Sequence, residues 1–211
     1  MAFDELRVGQ YMVSGLTQIG EGGFGLIYSC QDSRGTQFAL KKCSIQRQET
    51  FDTVQKEIQI LKRFKDCQYI VKIMGESVSM QSGSASILLE MCTGGHLLDR
   101  LNKLDASHQT FSTRDICRIF GQLLVVMNLM HTAKPRFVVH RDIKCENILF
   151  GGPAGDVVKV CDFGSVVEGV TPLRDVNERT AAEEIIGKET TLAYRAPEMV
   201  DLYMRNFLNE K

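Results

Sequence analysis

The chain lacks an excess of either charge: 25 Lys and Arg stand against 26 Asp and Glu, a net charge of -1 in 211 residues. That balance removes the broad field that grips a polyanion or an anionic membrane surface, so nucleic acid is not an expected partner. No C-x-x-C pair occurs, nor any cysteine and histidine cluster at zinc-site spacing. The seven cysteines (Cys30, Cys43, Cys67, Cys92, Cys117, Cys145 and Cys161) are scattered and odd in number, and they read as reduced thiols. The longest apolar runs, such as residues 123–127, fall far short of the roughly 20 residues that span a bilayer. The amino terminus Met1-Ala-Phe-Asp-Glu5 lacks the basic and apolar regions of a secretory signal, and Ala2 stands where myristoylation needs glycine. The expectation is therefore a cytoplasmic protein with no transmembrane segment. Internal repeats are also missing, and the length points to one domain or to two lobes sharing a cleft.

What is present suffices for a core: 44% hydrophobic and 24% charged residues exclude global disorder. Residues 11–19, 26–31 and 37–43 are β-rich, broken by glycines and by the turn Asp32-Ser-Arg-Gly35, and predict an antiparallel meander. In residues 49–64, Val54, Ile58 and Leu61 recur at helical spacing, predicting one amphipathic helix. Strands are expected near 69–78 and 87–90, with the small polar stretch 81–86 as an exposed loop between them. From Leu97 the pattern turns helical. Leu97, Leu98, Leu101 and Leu104 form one stripe; Ile116, Ile119, Phe120, Leu123, Leu124, Met127 and Met130 form a second, expected to be buried. Ser112-Thr-Arg-Asp115 has capping-box form at its start. A strand-rich half followed by a helix-rich half predicts two lobes joined across residues 90–95.

Gly20-Glu-Gly-Gly-Phe-Gly25 matches G-x-G-x-x-G, which lets backbone amides approach phosphate with no Cβ between them. The β-favouring residues that follow make it a hairpin rather than the strand-to-helix turn of a dinucleotide fold. On the third strand Ala39 and Lys41 share a face, and Glu57 on the helix is one of several acids able to orient the lysine. His140-Arg-Asp-Ile-Lys-Cys-Glu-Asn147 combines a carboxylate, a lysine and an amide at fixed offsets. Asp142 can accept a proton from an attacking hydroxyl, Lys144 can neutralise a transferring phosphoryl group, and Asn147 offers an oxygen to Mg²⁺. After a short strand, Asp162-Phe-Gly164 supplies a second carboxylate for the metal.

With Ala196-Pro-Glu198, these motifs follow the order of the protein-kinase set. The chain resembles a eukaryotic protein kinase of the serine/threonine type, and within it the Numb-associated kinase family, which includes the adaptor-associated and cyclin-G-associated kinases. Glu21-Gly-Gly-Phe-Gly25, Lys56-Glu-Ile-Gln-Ile60, Glu146-Asn147, Cys161-Asp-Phe-Gly-Ser165 and residues 190–203 carry the narrower likeness. The resemblance implies an α+β, bilobal protein-kinase-like fold: an N-terminal extension over 1–10, an N-lobe of five antiparallel strands and one helix over 11–91, and a mainly helical C-lobe over 92–211. It implies ATP and Mg²⁺ as cofactors, with Asn147 and Asp162 on the metal and Asp142, Lys144, Asn147, Lys41 and Glu57 as the catalytic set. For the nucleotide it implies Ile19 as a binding residue and Gly20, Gly22, Gly23, Gly25 and Lys41 about the phosphates. Ile27, Ala39 and Leu149 would sandwich the ring, with Leu89 as gatekeeper and the backbones of Glu90 and Cys92 on adenine. Implied partners are Ser/Thr protein substrates, including clathrin adaptor subunits of endocytosis, with peripheral association with vesicles.

Residues 180–186 have helix-forming composition, which suits the extra activation-segment helix, needing no phosphate, that the resemblance implies; the competing reading pairs Arg141 with phosphate on Thr180 or Thr190. The sequence contains no tryptophan and stops thirteen residues after Glu198, so the C-lobe is expected to be truncated and the Ile116 to Met130 stripe partly uncovered. Two functions stay open on the sequence: an ATP-dependent serine/threonine kinase, and a catalytically inactive fragment that at most binds nucleotide or a partner.

Overall fold

The computed structural model describes residues 5–22 and 25–209. They form two compact units. Residues up to Gly95 together with Leu149–Gly164 make the first, and His96–Ile148 with the residues from Ser165 onward make the second.

The first unit is built on a six-stranded antiparallel sheet in the order β1-β2-β3-β4-β6-β5. Its strands are β1 (Leu6–Val8), β2 (Tyr11–Gly22), β3 (Gly25–Asp32), β4 (Gln37–Ser44), β5 (Ile73–Ser79) and β6 (Ser84–Glu90), with α1 (Gln48–Arg63) between β4 and β5. The α+β class holds, but six strands stand where five were expected, because residues 6–8 are a strand rather than part of a plain extension. Val8 pairs with Tyr11 across a two-residue turn in which Gly9 has φ +60°, a conformation glycine adopts without strain. Val8 is then fully buried beside Val13, Cys30, Phe38, Leu40 and Leu88, and Tyr11 meets Phe38 edge to face at 5.3 Å. Residues 84–86, expected in a loop, belong to β6. Ala85 is buried there opposite Val78, so the turn shrinks to the residues ahead of Ser84. β5 begins at Ile73, later than expected.

Helix α1 buries the anticipated Val54, Ile58 and Leu61, and on the same side Glu57. A hairpin of β8 (Ile148–Gly151) and β9 (Val157–Val160) completes this unit; Val71 donates to Val160 O and Val160 to Tyr69 O, at 3.0 and 2.8 Å.

The second unit contains α2 (Leu97–Ala106), α3 (Thr113–His131), β7 (Val138–Val139), β10 (Val167–Glu168), β11 (Thr171–Pro172), α4 (Val176–Glu189), α5 (Pro197–Val200) and β12 (Phe207–Leu208). Strands β7 and β10 pair, as do β11 and β12. The Ser112 hydroxyl accepts from the Asp115 amide at 3.1 Å and so caps α3. Of the two expectations for the α3 stripe, full burial needs correcting and partial exposure holds. Ile119, Val126 and Met130 are buried, whereas Ile116, Phe120 and Leu124 are exposed, because only the line that faces the unit's own core is covered by the described residues. A separate small core of Leu173, Ala182, Ile186 and Leu202 holds α4 in place. No helix among the described residues is long and apolar enough to cross a membrane, and no disulfide joins any of the cysteines among them.

A Cβ added at Gly75 would lie 2.8 Å from Val8 O, so β1 and β5 approach each other as backbone. Gly75→Ala is expected to push β1 off and cost about 1–3 kcal/mol of stability, read as a lower midpoint in urea or thermal unfolding; an unchanged midpoint would mean that β1 does not dock as described.

Candidate active site

The first unit gathers one cation and two carboxylates. Strand β4 places Lys41 inside the fold at 3% exposure, and α1 brings up Glu57 at 2%. Lys41 Nζ donates to Glu57 Oε1 and Oε2 at 2.7 and 2.9 Å and to Asp162 Oδ1 at 3.0 Å. Burial acts to lower the Lys41 ammonium, but the two carboxylates outweigh it and hold the group above its ordinary value. Burial pushes the Glu57 carboxyl up against the pull of Lys41. The cluster sums to one negative charge, which suits a further cation. Asp162 has φ +59°, a left-handed conformation costly for a non-glycine residue, and the neighbouring Phe163 is fully buried.

Sheet register brings several of the expected nucleotide residues to one face. Lys41 sits opposite Ile27, Ala39 opposite Leu89, and Ile27 opposite Gly20, so Ile27, Ala39, Lys41 and Leu89 share a side. Gly22 pairs with Gly25 at the end of the hairpin. A Cβ at Gly25 would come 2.1 Å from Lys42 O, so β4 itself requires this glycine. Gly23 lies outside the described residues. Ile19 is 54% exposed. Leu149 is on β8, and Glu90 and Cys92 follow from β6. Burial pushes the Cys92 thiol up to about 12, which keeps it protonated and unreactive.

The second unit holds Asp142, Lys144 and Asn147 together in one loop. Asp142 is 5% exposed. Its Oδ2 lies 2.9 Å from Lys144 Nζ and accepts from Asn147 Nδ2 at 3.1 Å, while Asn147 Nδ2 also donates to the Asp142 carbonyl at 2.8 Å. The second oxygen, Oδ1, accepts the Thr191 backbone N–H at 3.0 Å, and Lys144 Nζ donates to Thr191 Oγ1 at 2.8 Å. Burial acts to raise the Asp142 carboxyl; the Lys144 and Thr191 hydrogen bonds outweigh it and hold the group below the usual carboxylate value. Sequence reasoning did not single out Thr191, since nothing local to residues 190–194 marks one threonine as the partner of a lysine 47 positions away.

Arg141 has φ +66°, is nearly buried, and is already engaged: Nε donates to Ser165 O at 2.6 Å and NH2 to Glu189 Oε2 at 2.5 Å. The expected activation-segment helix exists as α4, capped at its start by Asp175, which accepts from the Glu178 amide at 2.9 Å. Its end is capped by Arg195, whose guanidinium donates to Ile186 O and Thr190 O, both at 3.1 Å, and to Thr190 Oγ1 at 2.8 Å. Glu189→Ala would leave the Arg141 guanidinium inside without its carboxylate, and a loss of about 3–5 kcal/mol is expected in denaturant unfolding. A change below about 1 kcal/mol would place that pair at the solvated limit.

Residues 13–208 match the protein kinase domain model. A probable serine/threonine-protein kinase of Dictyostelium discoideum is 37% identical over 209 residues, which is 98% of this chain and 18% of that protein. A serine/threonine-protein kinase of Schizosaccharomyces pombe is 31% identical over 98% of this chain and 22% of its own length. Actin-regulating kinase 1 of Saccharomyces cerevisiae is 30% identical over 98% of this chain and 33% of its own length. The chain thus spans a third or less of these relatives. With the match running from β2 to β12 and enclosing both charge clusters, this chain belongs to the protein kinase domain family.

Proposed function

We propose that the chain is the catalytic domain of an ATP-dependent protein serine/threonine kinase. The observation that carries the reading is the hydrogen-bond set on Asp142: a carboxylate kept ionised by Lys144 and Thr191 and held in place by Asn147, ready to take a proton from a Ser or Thr hydroxyl. As that hydroxyl oxygen bonds to the γ-phosphorus of ATP, the bond from phosphorus to the β–γ bridging oxygen breaks. ADP leaves, and the hydroxyl proton passes to Asp142. Lys144 offsets negative charge on the phosphoryl oxygens, and Lys41, oriented by Glu57, binds phosphate. The family likeness implies Asp162 and Asn147 as metal residues, and each offers oxygen, the hard-ligand chemistry Mg²⁺ prefers; when bound, the ion would offset phosphate charge. The Asn147 amide donates its NH₂ to the Asp142 carbonyl and carboxylate, which fixes the amide plane, and its side-chain oxygen is the atom a cation would take.

The likeness to Numb-associated kinases supports a narrower reading in which the acceptors are clathrin adaptor subunits. In one assay, purified protein and an Asp142→Asn variant are given ATP, Mg²⁺ and either an adaptor subunit or a generic Ser/Thr-containing protein. Wild type is expected to favour the adaptor, and the variant to be slower by about 10²–10⁴-fold on both. Since the base acts when ionised and its carboxyl is held low, the wild-type rate should keep its acid limb below the range of an ordinary aspartate near pH 4. Equal phosphorylation by wild type and variant would sink the mechanism and favour a non-catalytic, nucleotide- or partner-binding role; equal use of both proteins would sink only the adaptor reading.

The engagement of Arg141 by Glu189 supports an activation segment that is ordered without phosphate. Phosphatase treatment, checked by mass mapping of Thr180 and Thr190, is expected to leave activity unchanged; loss of activity would restore the phosphate-regulated alternative.

A further inference from the structure

One ion pair of the first unit, a buried lysine with a partly exposed glutamate, has no part in the chemistry above. Lys159 on β9 is 5% exposed, and its Nζ lies 2.6 Å from Glu90 Oε1 at the end of β6. The same oxygen accepts the Lys72 backbone N–H at 2.9 Å, and Lys72 O accepts the Glu90 N–H at 2.9 Å. One carboxylate therefore ties together three stretches of chain: the residues before β5, the end of β6, and β9. Further on, Gly94 N–H donates to Phe150 O and Phe150 N–H to Gly95 O, both at 2.9 Å. Residues 90–95 are fastened at each end to the β8–β9 hairpin. Between these fastenings Gly151 leaves space that other groups use: a Cβ there would stand 3.2 and 3.4 Å from Cγ and Cε of Lys159 and 3.6 Å from Cys92 Sγ.

A buried ion pair is a poor source of stability, because desolvating both charges offsets most of their attraction and apolar residues of similar volume often hold as well or better. It does supply direction. A short charge-assisted bond sets where its carboxylate sits, and with it the backbone that bears it. Resting on the kinase reading, in which the backbones of Glu90 and Cys92 bind adenine, we propose that Lys159 is a positioning residue for the nucleotide. Acting through Glu90, it fixes the main-chain groups that hydrogen-bond the base. It makes no demand on phosphate handling, so its loss weakens ATP binding and leaves the transfer step intact.

The test compares wild type, Lys159→Met, Lys159→Arg and the double variant Glu90→Leu/Lys159→Met by ATP calorimetry, steady-state kinetics, thermal unfolding and amide hydrogen exchange. For Lys159→Met, the Kd and KM for ATP are expected to rise about tenfold with kcat held within about twofold. Exchange of the Glu90 and Lys72 amides should quicken, and Lys159→Arg should restore most of the binding. The double variant is expected to regain the wild-type melting midpoint but not the wild-type KM. Folded Lys159→Met with unchanged KM and exchange would overturn the proposal. So would recovery of KM in the apolar double variant, which would mean that packing alone is needed, or a rise in kcat, which would mean that the pair restrains the enzyme. If wild type bound no ATP, the kinase reading itself would fail, and unchanged amide exchange in Lys159→Met would separately remove the pair's hold on residues 90–95.

Discussion

Lys41 keeps a full positive charge at 3% exposure, and the first unit is arranged so that this charge is not left alone. An isolated ammonium at that depth would cost several kcal/mol and would lose its proton instead. Glu57 from α1 and Asp162 from the end of the β8–β9 hairpin prevent that by contributing carboxylates within 3.0 Å. The lysine is thus a point on which a strand, a helix and a distant hairpin must agree. The helix can meet this demand because Glu57 lies three positions after Val54 and one before Ile58. The apolar stripe that packs α1 therefore carries the acid inward with it. The cluster is left with one surplus negative charge, and it includes a left-handed residue, Asp162, held in a conformation costly for a non-glycine side chain.

The second unit solves a related problem differently. Asp142 is also buried, yet its charge is divided among hydrogen bonds from a lysine, an amide side chain and a backbone N–H. The backbone donor comes from Thr191, just beyond α4, so the loop that carries Asp142 and the end of that helix have to form together. Arg141 strengthens the connection by holding Glu189, the last residue of α4, and Arg195 closes the helix by satisfying its final carbonyls. Because α4 carries its own small core around Leu173 and Ile186, this ordering draws on packing as well as on charge.

Much of this was legible from residue patterns. Strands 11–19, 26–31 and 37–43, the helix 49–64 and the capped start of α3 were readable because turn residues, apolar spacing and capping chemistry act over a few residues. The role of β1 was not, since three residues carry too short an alternation, and only the closure of Val8 over Phe38 and Leu88 makes them a strand. Residues 84–86 misled for a similar reason: small polar side chains favour a loop, but pairing with β4 and β5 outweighs that preference. The long stripe on α3 showed which residues are apolar and not which of them find cover.

For the site, the residue types and their spacing along the chain determined which groups could do chemistry: the glycine hairpin, Lys41, Asp142 with Lys144 and Asn147, and Asp162. A local motif is enough for this because proton transfer, phosphate binding and oxygen ligation are properties of side chains. The contact of Lys41 with Glu57, which the family likeness implied but no local pattern singled out, and those of Lys144 with Thr191, Arg141 with Glu189 and Lys159 with Glu90 were decided by the tertiary structure. Each of those pairings spans 16 to 69 residues of chain and exists only where folding removes water from both partners and leaves each as the other's nearest opposite charge or hydrogen-bond group.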